Sequence, residues 1–419
     1  MRALASYVRS LNPQLPRSVQ TLQLGGLANA FGNGIAYPFL FIYLHNVRGI
    51  GLGTAGLILA TNGAVGLVAG PLAGSAIDRV GGRRTLAGAL LLMAVGFGSY
   101  PLVDLAWKGF LASAVAGIGN GAFWPSQSSL VAGLTPADKR HKAFATQRIA
   151  MNLGIGLGGL TGGLIATTAN PVTFTALFAI DAATFVVFAV LLGAVPDPPR
   201  APRGDLPPGG YVEVLRNRVF VAVLALNFVF ITAGMAQLET FPVYAKNEAG
   251  VAETGIGLVF FVNTLVIVLA QLPVARLLEG SRRMATLSVL GAVWALAWLL
   301  VPLGGSVLTG ASATALFASA AAIFAVGECL HGTVQAPLVA DLADHRLIGR
   351  YMAASAFSWG VGFTVGPALG GFILSLWPHA LWLGAAAVCG LAGFAALTVE
   401  KGLPAHARRT PGRVLSAEA

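Results

Sequence analysis

Apolar residues run along this chain in long blocks, not in the strict alternation of a strand or the narrow stripe of a soluble helix. Twelve blocks stand out, at roughly 18–45, 53–76, 84–103, 107–133, 143–166, 172–195, 218–245, 254–278, 284–303, 309–338, 350–376 and 378–399. Each is long enough to cross the hydrocarbon of a bilayer, which takes about 20 residues of helix. The longest exceed that need and predict tilted or kinked helices. A closed barrel is the other backbone arrangement that satisfies its own polar groups in lipid. Its signature is alternating segments of roughly ten residues, whereas the runs here are continuous. The pattern predicts an all-α membrane protein with twelve transmembrane helices.

One polar stretch interrupts the series. Residues 196–217 contain Pro196, Pro198, Pro199, Pro207, Pro208, Gly209 and Gly210, and proline ends a helix by removing a donor and crowding the preceding turn. The interruption divides the chain into a six-helix bundle at 1–195, a linker at 196–217, a second six-helix bundle at 218–400 and a tail at 401–419. The halves repeat each other. Arg83 and Arg84 open the third block, and Arg282 and Arg283 open the ninth, 199 positions on. Gly154, Gly158, Gly159, Gly162 and Gly163 in the fifth block are matched by Gly362, Gly366, Pro367, Gly370 and Gly371 in the eleventh, 208 positions on. Small residues at such spacing let helix backbones approach closely.

With 56% hydrophobic and 10% charged residues, the chain has too little polar surface to clothe a water-soluble core of its size. The net charge of +10 would suggest a nucleic-acid partner were it not for its placement. Of the 26 Lys and Arg residues, 22 fall at one set of span ends, and only Arg48, Lys108 and Lys246 at the opposite set. This positive-inside asymmetry predicts that both termini are cytoplasmic and calls for no nucleic acid. Cys329 and Cys389 lie inside blocks without Cys-x-x-Cys spacing, which argues against a disulfide or zinc site. The first apolar run is too long for a signal-peptide core and reads as an uncleaved helix. No Walker loop, Gly-x-Ser-x-Gly elbow or His-Glu-x-x-His occurs. The expectation is a protein that is not an enzyme, needs no cofactor or metal, and is not driven by ATP.

Between the second and third blocks stands Gly74-Ser75-Ala76-Ile77-Asp78-Arg79-Val80-Gly81-Gly82-Arg83-Arg84. This basic loop resembles the signature of the major facilitator superfamily of secondary transporters. The resemblance implies two pseudo-symmetric six-helix bundles with the transport site between them. It also implies that Gly74, Asp78, Arg79, Gly81, Arg83 and Arg84 latch the bundles on the cytoplasmic side. Asp78 would gain from lying at the N-terminus of the eleventh helix, a contact worth about 0.3–1 kcal/mol when exposed. The second-half counterpart, Arg276 to Arg283, lacks the aspartate. Arg148, Asn152 and Gly154 in the fifth block, Gly327 and Glu328 in the tenth, and Gly349-Arg350-Tyr351-Met352 opening the eleventh resemble the multidrug-efflux, drug/proton antiporter-like branch. Two features depart from that branch. The proline of its fifth-span motif is Gly159 here, and no arginine precedes Gly117-Ile118-Gly119 in the fourth block, where Ala114 stands.

The resemblance makes the first, fourth, seventh and tenth helices the walls of a central cavity. Asn29, Asn33 and Tyr37 share one face of the first, and Asn120, Trp124 and Gln127 one face of the fourth. The seventh carries Asn227, Gln237 and Glu239, the tenth Glu328, His331 and Gln335. With Arg148 and Asn152, these polar groups are the candidate substrate contacts, although amides inside a membrane also serve as hydrogen bonds between helices. Gly154, Gly158, Gly162, Gly362, Gly366, Pro367 and Gly370 are read as helix-packing positions. Acids at bilayer depth cost about 2.5–3.5 kcal/mol on insertion scales and are functional by default. Glu328, in mid-membrane, is the first candidate for proton coupling, with Glu239 near the outer end of its helix and Asp181 in the sixth behind it. A hydrogen bond to a neighbouring helix accounts for Asp181 as well.

Together these readings predict a monomeric carrier in a bacterial inner membrane, exporting an amphipathic small molecule in exchange for protons by alternating access. Proton-coupled uptake of a metabolite and a non-transporting sensor remain alternatives.

Overall fold

The computed structural model of the chain describes residues 15–136, 139–198, 210–344 and 346–410. Arg2, Arg9, Arg200, Arg203 and Arg413, the linker at 199–209 and the tail beyond 410 lie outside the described residues. Among the described residues, twelve long helices follow one another: α1 Arg17–Ile42, α2 Leu52–Val80, α3 Gly82–Gly98, α4 Ala106–Leu134, α5 Arg140–Ile165, α6 Val172–Leu191, α7 Arg218–Ala233, α8 Glu253–Leu277, α9 Arg283–Leu300, α10 Gly310–Leu342, α11 Ile348–Leu376 and α12 Pro378–Val399. Ten are long and apolar enough to cross a membrane by length and composition. The other two, α4 and α5, are those interrupted by Asn120 and Gln127 and by Gln147, Arg148 and Asn152, and these polar side chains dilute the apolar signal.

Two expected features take a different form. The basic segment Gly74–Arg84 is not a loop: α2 continues to Val80 and α3 begins at Gly82, with only Gly81 between them. Gly81 has φ +97°, a conformation that side-chain-bearing residues avoid, so a single residue turns the chain. The seventh apolar block is not one helix. It breaks at Gly234 (φ −96°, ψ −93°) into α7, a 3₁₀ stretch Met235–Glu239 and a short helix Phe241–Asn247. A Cβ at Gly234 would lie 2.4 Å from the ring of Trp294, so the packing against α9 leaves room only for glycine at the break.

The chain forms two compact units. One runs to Arg203 and includes Glu253–Phe261, the first turns of α8; the other comprises Gly204–Ala252 and the chain from Val262 onward. In the first unit, α5 carries two glycine stripes. Gly154, Gly158 and Gly162 press on α1, where added Cβ atoms would come within 2.8 Å of Leu27 O, 2.2 Å of Phe31 O and 2.5 Å of Ile35 O. Gly163 presses on Gly257 of α8, whose own Cβ would meet Gly159 O at 2.5 Å. Thr254 Oγ1 donates to Gly163 O (3.1 Å), and Thr168 N to Glu253 Oε1 (2.8 Å). Tyr43, Phe97, Tyr100, Phe174, Phe178 and Phe185 fill the apolar interior, and rings such as Tyr43 and Phe178 meet edge to face at 5.0 Å.

In the second unit, Gly362, Gly366 and Gly370 of α11 face Ile231, Ala236 and Thr240, with Pro367 buried beside them. Trp294 is fully buried, stacks on Phe324 at 4.8 Å and donates from Nε1 to Phe324 O. The start of α9 is held by Arg283, whose side chain is 1% exposed and donates to Asp341 Oδ2 at 2.6 Å.

The two units repeat a detail. In the first, Arg83 at the start of α3 pairs with Asp197 beyond α6: its backbone N and Nε lie 3.0 and 3.6 Å from the carboxylate. In the second, Arg282 at the start of α9 makes two N–H···O bonds, 2.8 and 2.5 Å, to Glu400 beyond α12. The turns also correspond, since Gly81 and Gly280 both have positive φ.

Candidate functional site

In the first unit, α1, α4 and α5 converge on a cavity of about 70 Å³ whose polar lining includes Gln23, Asn29, Asn33, Asn120, Gln127 and Gln147. The 3.6-residue period brings Asn29 and Asn33 to one face of α1, and Asn120, Trp124 and Gln127 to one face of α4. Gly26 belongs to the same lining because a Cβ there would lie 2.9 Å from Gln127 Nε2. Two amides are held by partners behind them: Asn120 Nδ2 donates to Asn62 Oδ1 (3.1 Å) and Gln23 Nε2 to Ala143 O (3.0 Å). Asn29 Nδ2 is buried and makes no hydrogen bond within the protein. Met93, Phe123, Trp124, Met151 and Ile155 supply apolar surface. The volume holds about two waters at roughly 30 Å³ each, well below the ~300–1,000 Å³ of a ligand pocket. By itself it has room for one small polar group.

Of the expected cavity residues in this unit, Asn29, Asn33, Asn120, Trp124 and Gln127 line that space, while Tyr37, Arg148 and Asn152 do not. Tyr37 lies 6.4 Å from the Phe97 ring, and Arg148 is exposed. Asp181 is fully buried on α6, but among the described residues neither carboxylate oxygen has the hydrogen-bond partner expected of it. The opposing residue is Gly32, which has no side chain to offer, and the nearby Thr184 hydroxyl turns back to donate to Asp181 O.

The second unit places Glu328 on the face of α10 that meets α8. Its Oε2 accepts from Asn263 Nδ2 at 2.7 Å. Two turns further along α8, Gln271 Nε2 donates to Thr333 Oγ1 at 3.4 Å, so residues 263, 267 and 271 form one strip with Ile267 packed on Cys329 and Ala325. His331 points to a separate network. Its Nε2 lies 3.0 Å from Asn227 Oδ1, Asn227 Nδ2 donates to Ser358 Oγ at 2.6 Å, and Ser358 donates to Ser355 O. The imidazole is boxed by Trp294 and Trp359, at 6.0 and 5.3 Å between ring centres. Gln237 donates to Thr232 O and Gly366 O, which ties it to α11. Gln335 is buried, and Glu239 ends the 3₁₀ stretch after α7.

In the segment joining α2 and α3, Asp78 and Arg79 are exposed. Arg83 is engaged with Asp197 and also donates to Val195 O. A Cβ on Gly81 would stand 3.2 Å from the Asp197 carboxylate, so the turn and the ion pair fit together. Asn62, Asn263, Gln23, Gln147 and Asp197 are partners that the reading by cavity helices leaves out. Asn62 and Asn263 each leave a signal in the sequence, an asparagine within an otherwise apolar run.

Comparison with known proteins bears on the whole chain. The family model described as Major Facilitator Superfamily matches residues 22–247 and again 240–417. The uncharacterized MFS-type transporter YhjO of Bacillus subtilis is 24% identical over 397 residues, 94% of this chain and 96% of that protein. The multidrug resistance protein MdtH of Yersinia enterocolitica is 26% identical over 377 residues, 88% of each chain. Among solved structures, a POT family transporter in complex with 5-aminolevulinic acid superposes with TM-score 0.76 at 16% identity, covering 91% of this chain and 96% of that one. The peptide transporter POT in complex with sulfate gives 0.74 at 16%, covering 92% and 95%. At such identity these structures speak to the fold alone. Twelve long helices without strands among the described residues, a duplicated architecture and a family match over both halves lead to one conclusion: the chain belongs to the Major Facilitator Superfamily and is a multi-pass membrane transport protein.

Proposed function

We propose that the chain is a proton-coupled exporter of amphipathic small molecules, working by alternating access as a monomer in a bacterial inner membrane with both termini cytoplasmic. The observation that carries the coupling is the Glu328 carboxylate, half-buried on a membrane helix and hydrogen-bonded to Asn263. An acid at that depth is costly unless it has a task, and its amide partner is able to serve both charge states. Nδ2 donates to the carboxylate, and Oδ1, after rotation, accepts from the carboxylic acid. The amide-lined cavity of the first unit supports a solute with a polar end and an apolar body, oriented by few polar groups. Export as the direction is supported by the relatives named multidrug resistance protein. The segment Gly74–Arg84 is the proposed latch, with Asp78, Arg79 and Arg84 its exposed members.

Flux of a panel of cationic and neutral amphipathic dyes into inside-out vesicles under an imposed pH gradient tests this reading. Wild-type protein accumulates at least one dye, and Glu328→Gln, equally expressed, loses gradient-driven accumulation. Undiminished flux in the variant removes Glu328 from the coupling. Alkalinisation outside intact cells on adding a metabolite would replace export with uptake.

A further inference from the structure

At one end of the second unit, the segment after α12 folds back over the turn before α9. Arg283 N donates to Arg408 O (2.9 Å) and Thr410 N to Ser281 O (3.0 Å), while Arg282 and Arg409 pair in an antiparallel bridge. Beside the fold-back lies an open pocket of about 450 Å³ lined by Arg282, Leu397, Glu400, Lys401, Arg408 and Arg409. Four of the six lining residues are cations, and Glu400, already engaged by Arg282, is the one carboxylate among them. Two guanidinium groups are fixed by backbone carbonyls: Arg408 Nε donates to Leu403 O at 2.8 Å and Arg409 Nη1 to Gly280 O at 2.9 Å. Each keeps other N–H groups for a ligand, in the planar fork that suits phosphate oxygens.

The surroundings identify the kind of anion. Leu391, Phe394 and Leu397 run along the exposed side of α12 in three-residue steps, the first two 69% exposed, and Leu397 is itself a wall of the pocket. An apolar strip on a membrane helix that leads into a cluster of cations matches a molecule with an acyl chain and an anionic head. Free inorganic anions have no use for the strip. We propose that this pocket binds the headgroup of an anionic phospholipid, with one acyl chain along Leu391 and Phe394. The site does not depend on the transport reading; only the choice of leaflet follows from the proposed orientation, which puts it on the cytoplasmic side, where anionic lipid attracts basic clusters.

Native mass spectrometry of the delipidated full-length protein, titrated with phosphatidylglycerol or phosphatidylcholine, tests the proposal. Wild type retains one phosphatidylglycerol in preference to phosphatidylcholine. The variant Lys401→Gln/Arg408→Gln/Arg409→Gln binds it roughly a hundredfold more weakly, at about fivefold per charge removed. Because Arg408 and Arg409 also hold the fold-back, Lys401→Gln alone, at an exposed position, is expected to weaken binding about fivefold. Equal retention of the two lipids by wild type overturns the proposal, as does unchanged phosphatidylglycerol binding in Lys401→Gln. Displacement of the lipid by an equal concentration of glycerophosphoglycerol would assign the pocket to a soluble anion and overturn the lipid assignment.

Discussion

At the residue scale, the acid on α10 depends on a neighbour as much as on itself. Asn263 is the sole asparagine of α8, and its Nδ2 is 2.7 Å from Glu328 Oε2. A hydrogen bond to an ionised group contributes about 1.5–3 kcal/mol. Asn263→Leu, which keeps the γ-branched shape and loses the donor, should therefore lower gradient-driven flux by roughly tenfold to a hundredfold. Leaving the carboxylate without that donor should also lower the melting temperature in detergent modestly, so flux is compared per folded protein. Flux unchanged in Asn263→Leu would mean that Glu328 has no need of this partner. Glu328 stood out in the sequence because a carboxylate interrupts an apolar run. Asn263 did not, because it lies on a helix outside the set that the family resemblance assigns to the cavity. Asp181 was legible as a buried acid, but its lack of a partner was not: that follows from Gly32, almost 150 positions earlier, lying against it.

Among the elements, glycine decides which helices touch. On α5 the stripe at 154, 158 and 162 faces α1, and backbone atoms stand where a Cβ would go. Gly158→Ala would set its methyl 2.2 Å from Phe31 O, an overpacking that costs about 1–3 kcal/mol. The same substitution at Gly88 in α3 meets nothing within 4 Å and removes a poor helix former, a gain of up to about 1 kcal/mol. Thermal unfolding of the two variants should therefore move in opposite directions, Gly158→Ala down and Gly88→Ala level or up. A shared direction would show that α5 and α1 do not touch through this stripe. The existence of all twelve helices was legible from block length alone. The break at Gly234 was not, because the ring that leaves room only for glycine there belongs to Trp294, 60 positions away. The charges around Gly81 are those of a loop, whereas the backbone needs only one residue to turn between α2 and α3.

For the molecule as a whole, duplication is the feature that survives best. It appears in the spacing of the paired arginines and of the glycine stripes, and again as two ion pairs, Arg83 with Asp197 and Arg282 with Glu400. The acids of these pairs left no periodic signal, since Asp197 lies in irregular chain, Glu400 opens a three-residue 3₁₀ turn after α12, and each takes its partner from more than 100 positions away. The halves differ where function is proposed: the first has the amide-lined cavity and the second has Glu328. The central claim is that binding of solute and loss of a proton from Glu328 are one exchange. Its most direct test is proton release from purified protein in lightly buffered detergent when a transported dye is added. Wild type should release protons, fewer at higher pH, and Glu328→Gln that still binds the dye should release none. Equal release from the variant would contradict it.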